Sequence, residues 1–532
     1  TWFWNSRYEN LEVLNFEEIR KIAPSTSLIF SPCHRSHIDY LALSYLLYYK
    51  DLMLPQIVAG KNLNLPLVGP LLRKGGAFFM RRSFSNNRLY SVVFYEHLKK
   101  LMQRGHSIEF FPEGGRSRSG KLMPPRPGII SMILRSFLGM DEKQVSFVPI
   151  SINYEKVLEG NSYINEVMGA EKKKENLKDI FSVFRDFRNY LGEAYLQFGE
   201  PINLNALLKE YPLSDYSSEK DWLFKVTPVL GKKIMTTIND STVVTSTALF
   251  SLAILNSDGF SISNRELVSR IELLKSLLVE DKYSAKTLIC EKTGEEIIDQ
   301  MRKLGFLSKE DINDRISLTN LEAAKLSFYR NNISHLLIFE SLICGFFQYQ
   351  KEIVKEDLLQ SIKMIYPFLK EEFFLKWDEA DLDQLINLKL NKLINKNLIL
   401  EDSNIYKRPD FKSREFYETQ SLGKLVQPSI DRFYVLISQL WKNSAEHISK
   451  NELERNSLEI LKNLEKTQAR LTPEFSEKWM FDVFLNRLIE NKYVREDDKG
   501  MLYPTRITQR LEKDANKFLE PNWLKELSKS TT

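Results

Sequence analysis

The 532-residue sequence predicts an α/β domain, with a sheet flanked by helices, followed by a mainly α-helical region. Up to about Asn205, short apolar runs alternate with stretches of helical periodicity, which is typical of an α/β sheet. From about Asp215, Leu, Lys, Glu and Ile recur in helical periods, and glycines and strand-like runs become few. We therefore expect an α/β domain over residues 1–212 and helical domains over 213–330 and 331–532.

Six short apolar runs are the candidate strands of the sheet. They are Ser27–Pro32, Gln56–Ala59, Ala77–Met80, Ser107–Phe111, Ser146–Ile152 and Ala194–Phe198. Between two of them, apolar side chains from Leu89 to Met102 recur at helical spacing, and Gly105 stands where a glycine closes a helix. Functional residues are expected where the strands of such a sheet end in loops.

The second half of the chain shows architecture but little readable chemistry. The segment from Thr242 to Leu255 is rich in small and β-branched residues, which indicates a helix packed closely on a neighbour. Gly305–Leu307 and Leu398–Leu400 are candidate hairpin strands within helical modules. We find no internal repeat and no low-complexity tract in this sequence.

Basic residues are concentrated in one window of the α/β region. The net charge is +5, but Leu71 to Arg126 holds twelve Lys and Arg against three acids, which gives +9 and leaves −4 elsewhere. An anionic substrate is expected near this window. The three cysteines, Cys33, Cys290 and Cys344, are scattered without paired spacing, which indicates a reducing compartment rather than a disulfide frame.

No apolar run reaches the ~18–20 residues that a membrane-spanning helix needs. The nearest, Ile333 to Phe347, is interrupted by His335 and Glu340, and a buried helix explains it better than contact with a membrane surface. A peripheral membrane role stays open. The sequence begins at Thr1 without an initiator Met or a signal-peptide pattern, which indicates a processed or truncated chain.

His34 and Asp39 are the strongest candidate for catalytic chemistry, because an imidazole base needs a carboxylate to orient it. Positions five apart on a regular helix point roughly 140° away from each other, so the two side chains cannot meet on one helix. They can meet if His34 lies in a loop and Asp39 in the first helical turn. Ser36 and Asp39 have capping-box spacing, which predicts Ser36 as N-cap and Asp39 at N3.

Other interpretations of this segment remain as alternatives. Asp39 could serve only as a helix cap, and His37 fits an exposed or packing role better than a catalytic one. A metal site of His34, His37 and Asp39 is weaker, since no later histidine has matching spacing. Cys33 is expected to be a small buried residue rather than a nucleophile, because neighbours in an extended segment point to opposite faces.

Glu113-Gly114-Gly115-Arg116 follows a candidate strand and has the features of an anion-binding loop. Glycines let backbone N–H groups approach an oxyanion closely, and an arginine adds a bidentate contact to phosphate. The stretch from Gly115 to Lys121 matches a nucleotide-binding P-loop until Leu122, where Ser or Thr is required. Because the magnesium-binding hydroxyl is missing, we reject ATP binding.

A second basic strand end lies at Ala77 to Arg82. Phe78 and Met80 alternate with Phe79 and Arg81, so one face could line an apolar groove while Arg81 reaches the anion. The alternative is an ordinary buried strand with solvated arginines. Val148-Pro149-Ile150 has the pattern of a core strand.

Together, four ordered segments resemble the conserved blocks of the glycerolipid acyltransferases. They are His34-Arg-Ser-His-Ile-Asp39, Gly76-Ala-Phe-Phe-Met-Arg81-Arg82, Phe111-Pro-Glu113-Gly-Gly-Arg116-Ser-Arg118 and Phe147-Val-Pro149-Ile. The residues of these segments are most similar to those of the bacterial membrane-associated glycerol-3-phosphate 1-O-acyltransferases. The resemblance covers about Trp4 to Leu204 strongly and continues more faintly through the helical half. Members of this type carry additional sequence ahead of the acyltransferase domain.

The resemblance implies an α/β acyltransferase domain with a mixed sheet, and it implies a role for each block. His34 would be the general base and Asp39 its orienting carboxylate. The glycerol-phosphate contacts would be Arg81, Glu113, Gly114 and Arg116, with Arg82 and Arg118 as second choices, and the acyl side of the pocket would use Phe78, Val148, Pro149 and Ile150. No metal and no cofactor are implied.

The implied activity is transfer of a fatty acyl group to the sn-1 hydroxyl of glycerol 3-phosphate, the first step of phospholipid synthesis. The donor would be acyl-CoA or acyl carrier protein, and the enzyme would lie on the cytoplasmic face of the inner membrane without spanning it. Dihydroxyacetone-phosphate acyltransferases share nearly the same blocks and are the alternative, whereas lysophosphatidate acyltransferases are generally smaller. Nucleic-acid binding is a distant alternative, since the basic residues sit at strand ends rather than along one exposed face.

Overall fold

The computed structural model describes residues 4, 7–64, 68–81, 87–140, 144–160, 190–308, 314–443, 447–468, 477–515, 517 and 519. The chain divides into two compact units. The first comprises Thr1–Thr247, Lys282–Glu291 and Gln300–Phe306, and the second comprises Ala248–Asp281, Lys292–Asp299 and Leu307–Thr532. The domain boundaries expected at residues 212 and 330 stay a prediction.

A mixed sheet forms the centre of the first unit. In its described part the strands are β1 Asn10–Leu14, β2 Thr26–Pro32, β3 Gln56–Gly60, β4 Ala77–Met80, β5 Ile108–Glu109, β6 Gln144–Tyr154, β7 Glu193–Phe198 and β8 Ile202–Asn203. Their order is β1-β7-β6-β2-β5-β3-β4, with β8 paired to β6. The six predicted strands are confirmed within a few residues, whereas the edge strand β1 and the two-residue β8 carried too weak a pattern to be found.

Helices cover both faces of this sheet. They are α1 Phe16–Ile22, α2 Asp39–Tyr49, α3 Val68–Lys74, α4 Arg88–Gln103, α5 Pro127–Leu138, α6 Leu204–Glu210 and α7 Glu219–Asp240, and a small parallel pair joins β9 Val243–Val244 to β11 Leu288–Ile289. The predicted end of α4 is confirmed. Gly105 has a φ of 77° and donates its N–H to the Met102 carbonyl, while His106 donates to Leu101, so a left-handed glycine closes the helix.

The direction of the strands determines where functional loops meet. β2 pairs in parallel with β5 and with β6, so the carboxyl ends of these strands lie at one edge of the sheet. β6 is buried from Val145 to Tyr154, as expected for a central strand covered on both faces. The loops that follow β2 and β5 therefore leave the sheet side by side at this edge.

The second unit is mainly helical and contains short strands. Its elements are α8 Ser246–Leu255, β10 Ser261–Ser263, α9 Asn264–Glu280, α10 Gly294–Lys303, β12 Arg315–Ser317, α11 Asn320–Ile333, α12 Ile338–Phe346, β13 Glu352–Val354, α13 Lys355–Phe373, α14 Leu382–Asn395, β14 Leu400–Asp402, β15 Ile405–Lys407, α15 Arg414–Gly423, α16 Gln427–Lys442, β16 Ile448–Ser449, α17 Lys450–Gln468, α18 Lys478–Glu490, β17 Val494–Glu496, β18 Met501–Pro504 and α19 Arg506–Ala515.

These elements repeat in the structure, although the sequence shows no internal repeat. A helix, a strand, two helices and a hairpin follow one another in α12-β13-α13-α14-β14-β15 and again in α16-β16-α17-α18-β17-β18. In each, the last strand of the hairpin lies between the other two. This is the strand order of a winged-helix domain. The described elements α8, β10, α9, α10 and β12 follow a similar order, interrupted by β11 between α9 and α10, and β10 pairs antiparallel with β12.

The copies share buried apolar pairs between strands at equivalent positions, although the residues at those positions differ. Ile262 pairs with Ile316, and Ile353 pairs with Tyr406 at the corresponding place in the next copy. Ile448 does the same with Leu502 in the last copy, and all of these side chains are buried. The repeat is hard to see in the sequence because packing requires an apolar residue at each place, not the same residue.

Of the two segments predicted as hairpin strands, one coincides in part with a strand and the other does not. Leu398–Leu400 overlaps the start of β14, whereas Gly305–Leu307 is a turn that follows α10, and the strand of that copy is β12. Gly305 has a φ of 72°, so it ends a helix rather than extending a strand.

The apolar stretch from Ile333 to Phe347 is buried, as predicted. It contains a short 3-10 turn and α12, and Glu340 lies inside it with no exposed surface. Glu340 Oε1 accepts from Lys389 Nζ at 3.0 Å and from Lys392 Nζ at 2.7 Å. Burial alone would raise the pKa of Glu340, but the two lysine charges outweigh burial and lower that pKa to about 2. Within the described residues, none of the helices is both long and apolar enough to cross a bilayer.

Candidate active site

The loop after β2 brings His34 and Asp39 together. His34 Nδ1 lies 2.9 Å from Asp39 Oδ2, with the imidazole 16% exposed and the carboxylate fully buried. Helix α2 begins at Asp39, so His34 lies in the loop and Asp39 in the first helical turn. The predicted geometry of this pair is therefore confirmed.

Asp39 is held by contacts to both of its oxygens. Oδ2 also accepts from the backbone N–H groups of Arg35 at 2.7 Å and Ser36 at 2.9 Å, and Oδ1 accepts from the Tyr154 hydroxyl at 2.7 Å. Because an ionised carboxylate only accepts hydrogen bonds, His34 donates through Nδ1. The other ring nitrogen of His34, Nε2, is then left with a lone pair for a substrate.

The predicted capping box is present only in part. The Asp39 carboxylate bonds to the Ser36 N–H as expected, but the N-cap of α2 is Ile38 and Asp39 is the first helical residue. The Asp39 N–H, which the Ser36 hydroxyl was expected to accept from, instead donates to the Ser36 carbonyl at 3.3 Å. The Ser36 hydroxyl oxygen accepts from the Ile38 N–H at 3.4 Å, and the hydroxyl donates to the two oxygens of Glu159 at 3.0 and 2.8 Å.

Glu159 is a site residue that the sequence did not reveal. In addition to Ser36, its carboxylate accepts from the backbone N–H of His37 at 2.6 Å. Burial raises the pKa of Glu159, while these hydrogen bonds and the charge of Arg116 act in the opposite direction. A buried Glu159 thus holds the turn between His34 and Asp39, at a sequence separation of more than a hundred residues that no local pattern could predict.

Phe111 fixes the plane of the His34 ring. The two rings stack with centroids 3.9 Å apart and an interplanar angle of 23°. Phe111 lies two residues after the end of β5, next to the buried Phe110, so the sheet positions it. Stacking limits rotation of the imidazole and leaves one edge of the ring accessible at the sheet margin.

Glu113 joins the loop after β5 to the loop that carries His34. Its Oε1 accepts from the His34 N–H at 2.8 Å, its Oε2 accepts from the Met123 N–H at 2.9 Å, and it is 2% exposed. Burial raises the pKa of Glu113 to about 7, although the charge of Arg35 and both N–H groups oppose that shift. The geometry therefore makes Glu113 a brace for the backbone of His34.

Further contacts interlock the two loops. The Ser117 N–H donates to the His34 carbonyl at 2.9 Å, and the Arg35 guanidinium donates to the Gly120 carbonyl. Gly114 has a φ of 67°, and an added Cβ there would lie 2.8 Å from Arg126 Cγ, so no larger residue fits. Gly114 is exposed at this turn, and Gly115 and Arg116 follow it partly exposed.

The predicted phosphate contacts are distributed along the same edge of the sheet. Arg116 and Arg118 are half-buried in the loop after β5, next to the contacts just described. Arg81 is exposed at the end of β4, two strands beyond β5, and its guanidinium lies 4.9 Å from the centre of the Tyr90 ring. Arg82 lies outside the described residues. Phosphate binding by these groups stays a prediction.

The residues predicted for the acyl side occupy two environments. Phe78 is half-buried and packs edge-on against His97, with ring centroids 5.0 Å apart. Val148, Pro149 and Ile150 are buried in β6, paired with Phe30, Ser31 and Pro32 of β2. This is the core strand expected from their pattern, and their contact with an acyl chain stays a prediction.

The alternatives based on a thiol and a metal can be compared with the structure. Cys33 is fully buried, and burial raises its pKa to about 12, so it is the small buried residue that was expected. In the described part of the chain, no three His, Cys, Asp or Glu side chains lie together as potential ligands of a metal ion.

Comparison with known proteins identifies the family of the chain. Residues 12–153 match the acyltransferase family model, and residues 163–497 match the model of the glycerol-3-phosphate acyltransferase C-terminal region. The chain is 36% identical over 510 residues to a glycerol-3-phosphate acyltransferase of Pseudomonas putida, covering 94% of this chain and 62% of that protein. A second relative of that name, from Pseudomonas entomophila, is 36% identical over 528 residues and is covered over 64% of its length, against 98% of this chain.

The chain thus spans a little under two thirds of the length of the curated relatives it matches. Among solved structures, a 1-acyl-sn-glycerophosphate acyltransferase from Thermotoga maritima matches 42% of this chain and 70% of its own, with 18% identity and a TM-score of 0.25, too low to support an argument. The family models and the relatives agree over nearly the whole sequence. The chain belongs to the glycerol-3-phosphate acyltransferase family.

Proposed function

We propose that the protein transfers a fatty acyl group from acyl-CoA or acyl carrier protein to the sn-1 hydroxyl of glycerol 3-phosphate. The product would be 1-acylglycerol 3-phosphate, and the reaction would be the first step of phospholipid synthesis. The observation that carries the proposal is the 2.9 Å contact of His34 Nδ1 with a fully buried Asp39, which leaves Nε2 to act as a base. The reaction would need no metal and no cofactor.

The chemistry follows from the orientation of His34. Nε2 would take the proton of the sn-1 hydroxyl as that oxygen attacks the thioester carbon. The tetrahedral intermediate would then expel the thiolate, which would receive the same proton from the imidazolium. Asp39 would stabilise the charge of the ring between these steps. General-base assistance is typically worth about 10²–10⁴-fold, so alignment of hydroxyl and thioester would supply much of the remainder.

The loop after β5 would bind the acceptor's phosphate. Arg116 follows the glycine turn that crosses beside His34, and a guanidinium there would hold the phosphate while the sn-1 hydroxyl reaches Nε2. Arg81 and the glycine backbone would complete the acceptor site. Because both Glu113 oxygens already bind backbone N–H groups, we propose that Glu113 supports this site mainly by positioning His34.

We propose that this edge of the sheet also faces the cytoplasmic surface of the inner membrane. Leu89, Val92 and Val93 are 75%, 46% and 58% exposed near the start of α4, the next described helix after β4 and Arg81. An apolar helix face beside arginines is suited to shallow insertion among anionic lipid headgroups. Such a position would place the acyl chain of the product close to the bilayer.

Two alternatives are kept. Transfer to dihydroxyacetone phosphate would use the same base and the same phosphate contacts. The winged-helix order favours nucleic-acid binding at the level of the fold, but a fold does not establish a function. Lys389 and Lys392 of α14 are buried against Glu340, so these two lysines are not presented to a phosphate backbone.

Replacing His34 tests the base. We expect His34→Ala to lower kcat for transfer to glycerol 3-phosphate about 10²–10⁴-fold, because proton removal from the hydroxyl is lost. Transfer is measured with labelled glycerol 3-phosphate, dihydroxyacetone phosphate and lysophosphatidate, each with both donors. His447→Ala, an exposed histidine of the second unit, is the control and should behave as the wild type. Substantial transfer by His34→Ala with every pair would show that His34 is not the base.

Replacing Arg116 tests the acceptor site. We expect Arg116→Ala to raise KM for glycerol 3-phosphate by about tenfold or more, since a charge-assisted contact to phosphate is lost. KM for the acyl donor should change little. Arg104→Ala removes an exposed arginine of the same basic window and serves as the control in initial-rate kinetics. A defect confined to the donor would exclude Arg116 from the acceptor site.

The pH dependence of transfer tests the Glu113 brace. Burial raises the pKa of Glu113 to about 7, so its ionised, accepting form is lost as the pH falls through this value. Loss of that form weakens the hydrogen bonds from the His34 and Met123 N–H groups, so kcat should fall with pH across this range. Glu113→Gln should reduce kcat at pH 8 and make this fall shallower. Identical pH profiles for both proteins would refute the brace.

Vesicle binding tests the membrane face. We expect Val93→Glu to reduce several-fold the fraction of protein that sediments with vesicles of phosphatidylglycerol and phosphatidylethanolamine, because a buried charge opposes insertion. Val279→Glu changes a valine of the second unit that is 56% exposed, against 58% for Val93, and should leave binding unchanged. Equal sedimentation of the two variants would place the membrane contact elsewhere.

A further inference from the structure

The hydrogen bond of Tyr154 to Asp39 extends the catalytic pair into a chain of three side chains. Tyr154 is the last residue of β6, and its hydroxyl lies 2.7 Å from Asp39 Oδ1. The opposite oxygen of the same carboxylate contacts His34 Nδ1 at 2.9 Å. One carboxylate therefore joins the phenol of a central strand to the imidazole of the site loop.

Aromatic packing fixes the position of this phenol. Tyr154 is 4% exposed, and its ring centroid lies 5.9 Å from that of Tyr8, which in turn lies 5.5 Å from Trp4. The backbone of β6 holds the residue in register with β7, where Tyr154 pairs with Ala194. The hydroxyl is consequently aimed at Asp39 by rigid surroundings and not by a mobile loop.

The direction of the hydrogen bond follows from the chemistry of the two groups. Burial and the charge of Asp39 raise the pKa of Tyr154 well above its usual value, so the phenol keeps its proton. An ionised carboxylate has no proton to give, and the hydroxyl must donate to it. Donation draws electron density from Asp39 and moderates its attraction for a proton on His34.

We propose that Tyr154 is a positioning residue of the acyl transfer, which holds the Asp39 carboxylate against His34 and limits how tightly the pair retains a proton. The inference rests on the proposed role of His34 as the base. Removal of the hydroxyl should leave Asp39 more mobile and more strongly attractive to an imidazolium. The ring would then be more basic but less well aligned with the acceptor hydroxyl.

Other ionisable groups surround the same carboxylate and have to be considered in any pH measurement. The charge of Asp39 acts on Glu109, Glu113 and Glu159, all buried, and Arg35 and Arg116 provide opposing charge. The Tyr8 ring also packs against the Tyr154 ring. A substitution at residue 154 leaves all of these groups in place, so the comparison with the wild type isolates the hydroxyl.

The experiment measures the protonation of His34 without relying on acyl transfer. Diethylpyrocarbonate modifies neutral imidazole, and mass spectrometry of the peptide containing His34 gives the modification rate as a function of pH. We expect the midpoint for Tyr154→Phe to lie about half a pH unit above that of the wild type. In parallel, kcat for transfer should fall about tenfold, with both KM values unchanged.

Tyr195→Phe is the matched control. Its hydroxyl donates to Glu193 at 2.6 Å in the neighbouring strand, so the substitution removes a similar hydrogen bond away from the pair. It should leave the midpoint and kcat unchanged. A second variant, Tyr154→3-fluorotyrosine, keeps the ring and donates more strongly, so the midpoint should shift below that of the wild type.

The outcomes separate the two proposals. A His34 midpoint that is the same in Tyr154→Phe, Tyr154→3-fluorotyrosine and the wild type overturns the role of Tyr154. If the wild type transfers no acyl group to any acceptor, the proposed function fails, but the midpoints still report on the hydrogen bond. If Tyr154→Phe does not fold, the fluorinated variant retains every contact of the phenol and decides the question by itself.

Discussion

The buried carboxylate of Asp39 is the constraint on which the site depends. A charge without exposed surface is costly unless donors surround it, and here two backbone N–H groups, a phenol and an imidazole provide them. These donors come from the loop after β2 and from the end of β6. Satisfying one carboxylate therefore fixes the start of α2, the tautomer of His34 and the register between loop and sheet.

The loop after β5 is built on the same principle. Glu113 is buried, and both of its carboxylate oxygens accept hydrogen bonds from backbone N–H groups, one of which belongs to His34. Ser117 returns a backbone hydrogen bond to the His34 carbonyl. His34 is thus held through its main chain as well as through its ring. This arrangement keeps the imidazole in place at the edge of the sheet.

The helical half shows how a fold can recur without a recurring sequence. Each copy has a buried isoleucine in the strand that precedes its helices, at positions 262, 353 and 448. The residues that pair with them across the sheet differ, and are Ile316, Tyr406 and Leu502. Buried ion pairs then distinguish the copies, such as Glu372 with Arg432 at 2.7 Å. In the copy that contains α14, Lys389 and Lys392 are buried in salt bridges with Glu340. The surface of these helical modules, and not their winged-helix topology, therefore decides what they bind.

Sequence alone determined the features that depend on local geometry. Helical rotation requires His34 to precede the helix that carries Asp39, and the apolar runs located the central strands and the glycine loop after β5. Tertiary structure decided the partners. The Tyr154 hydroxyl donates to Asp39, which lies 115 residues away in sequence, and the Ser36 hydroxyl donates to Glu159, 123 residues away. Such contacts depend on which strands become neighbours, and periodicity along the chain carries no information about a hydrogen bond between distant side chains.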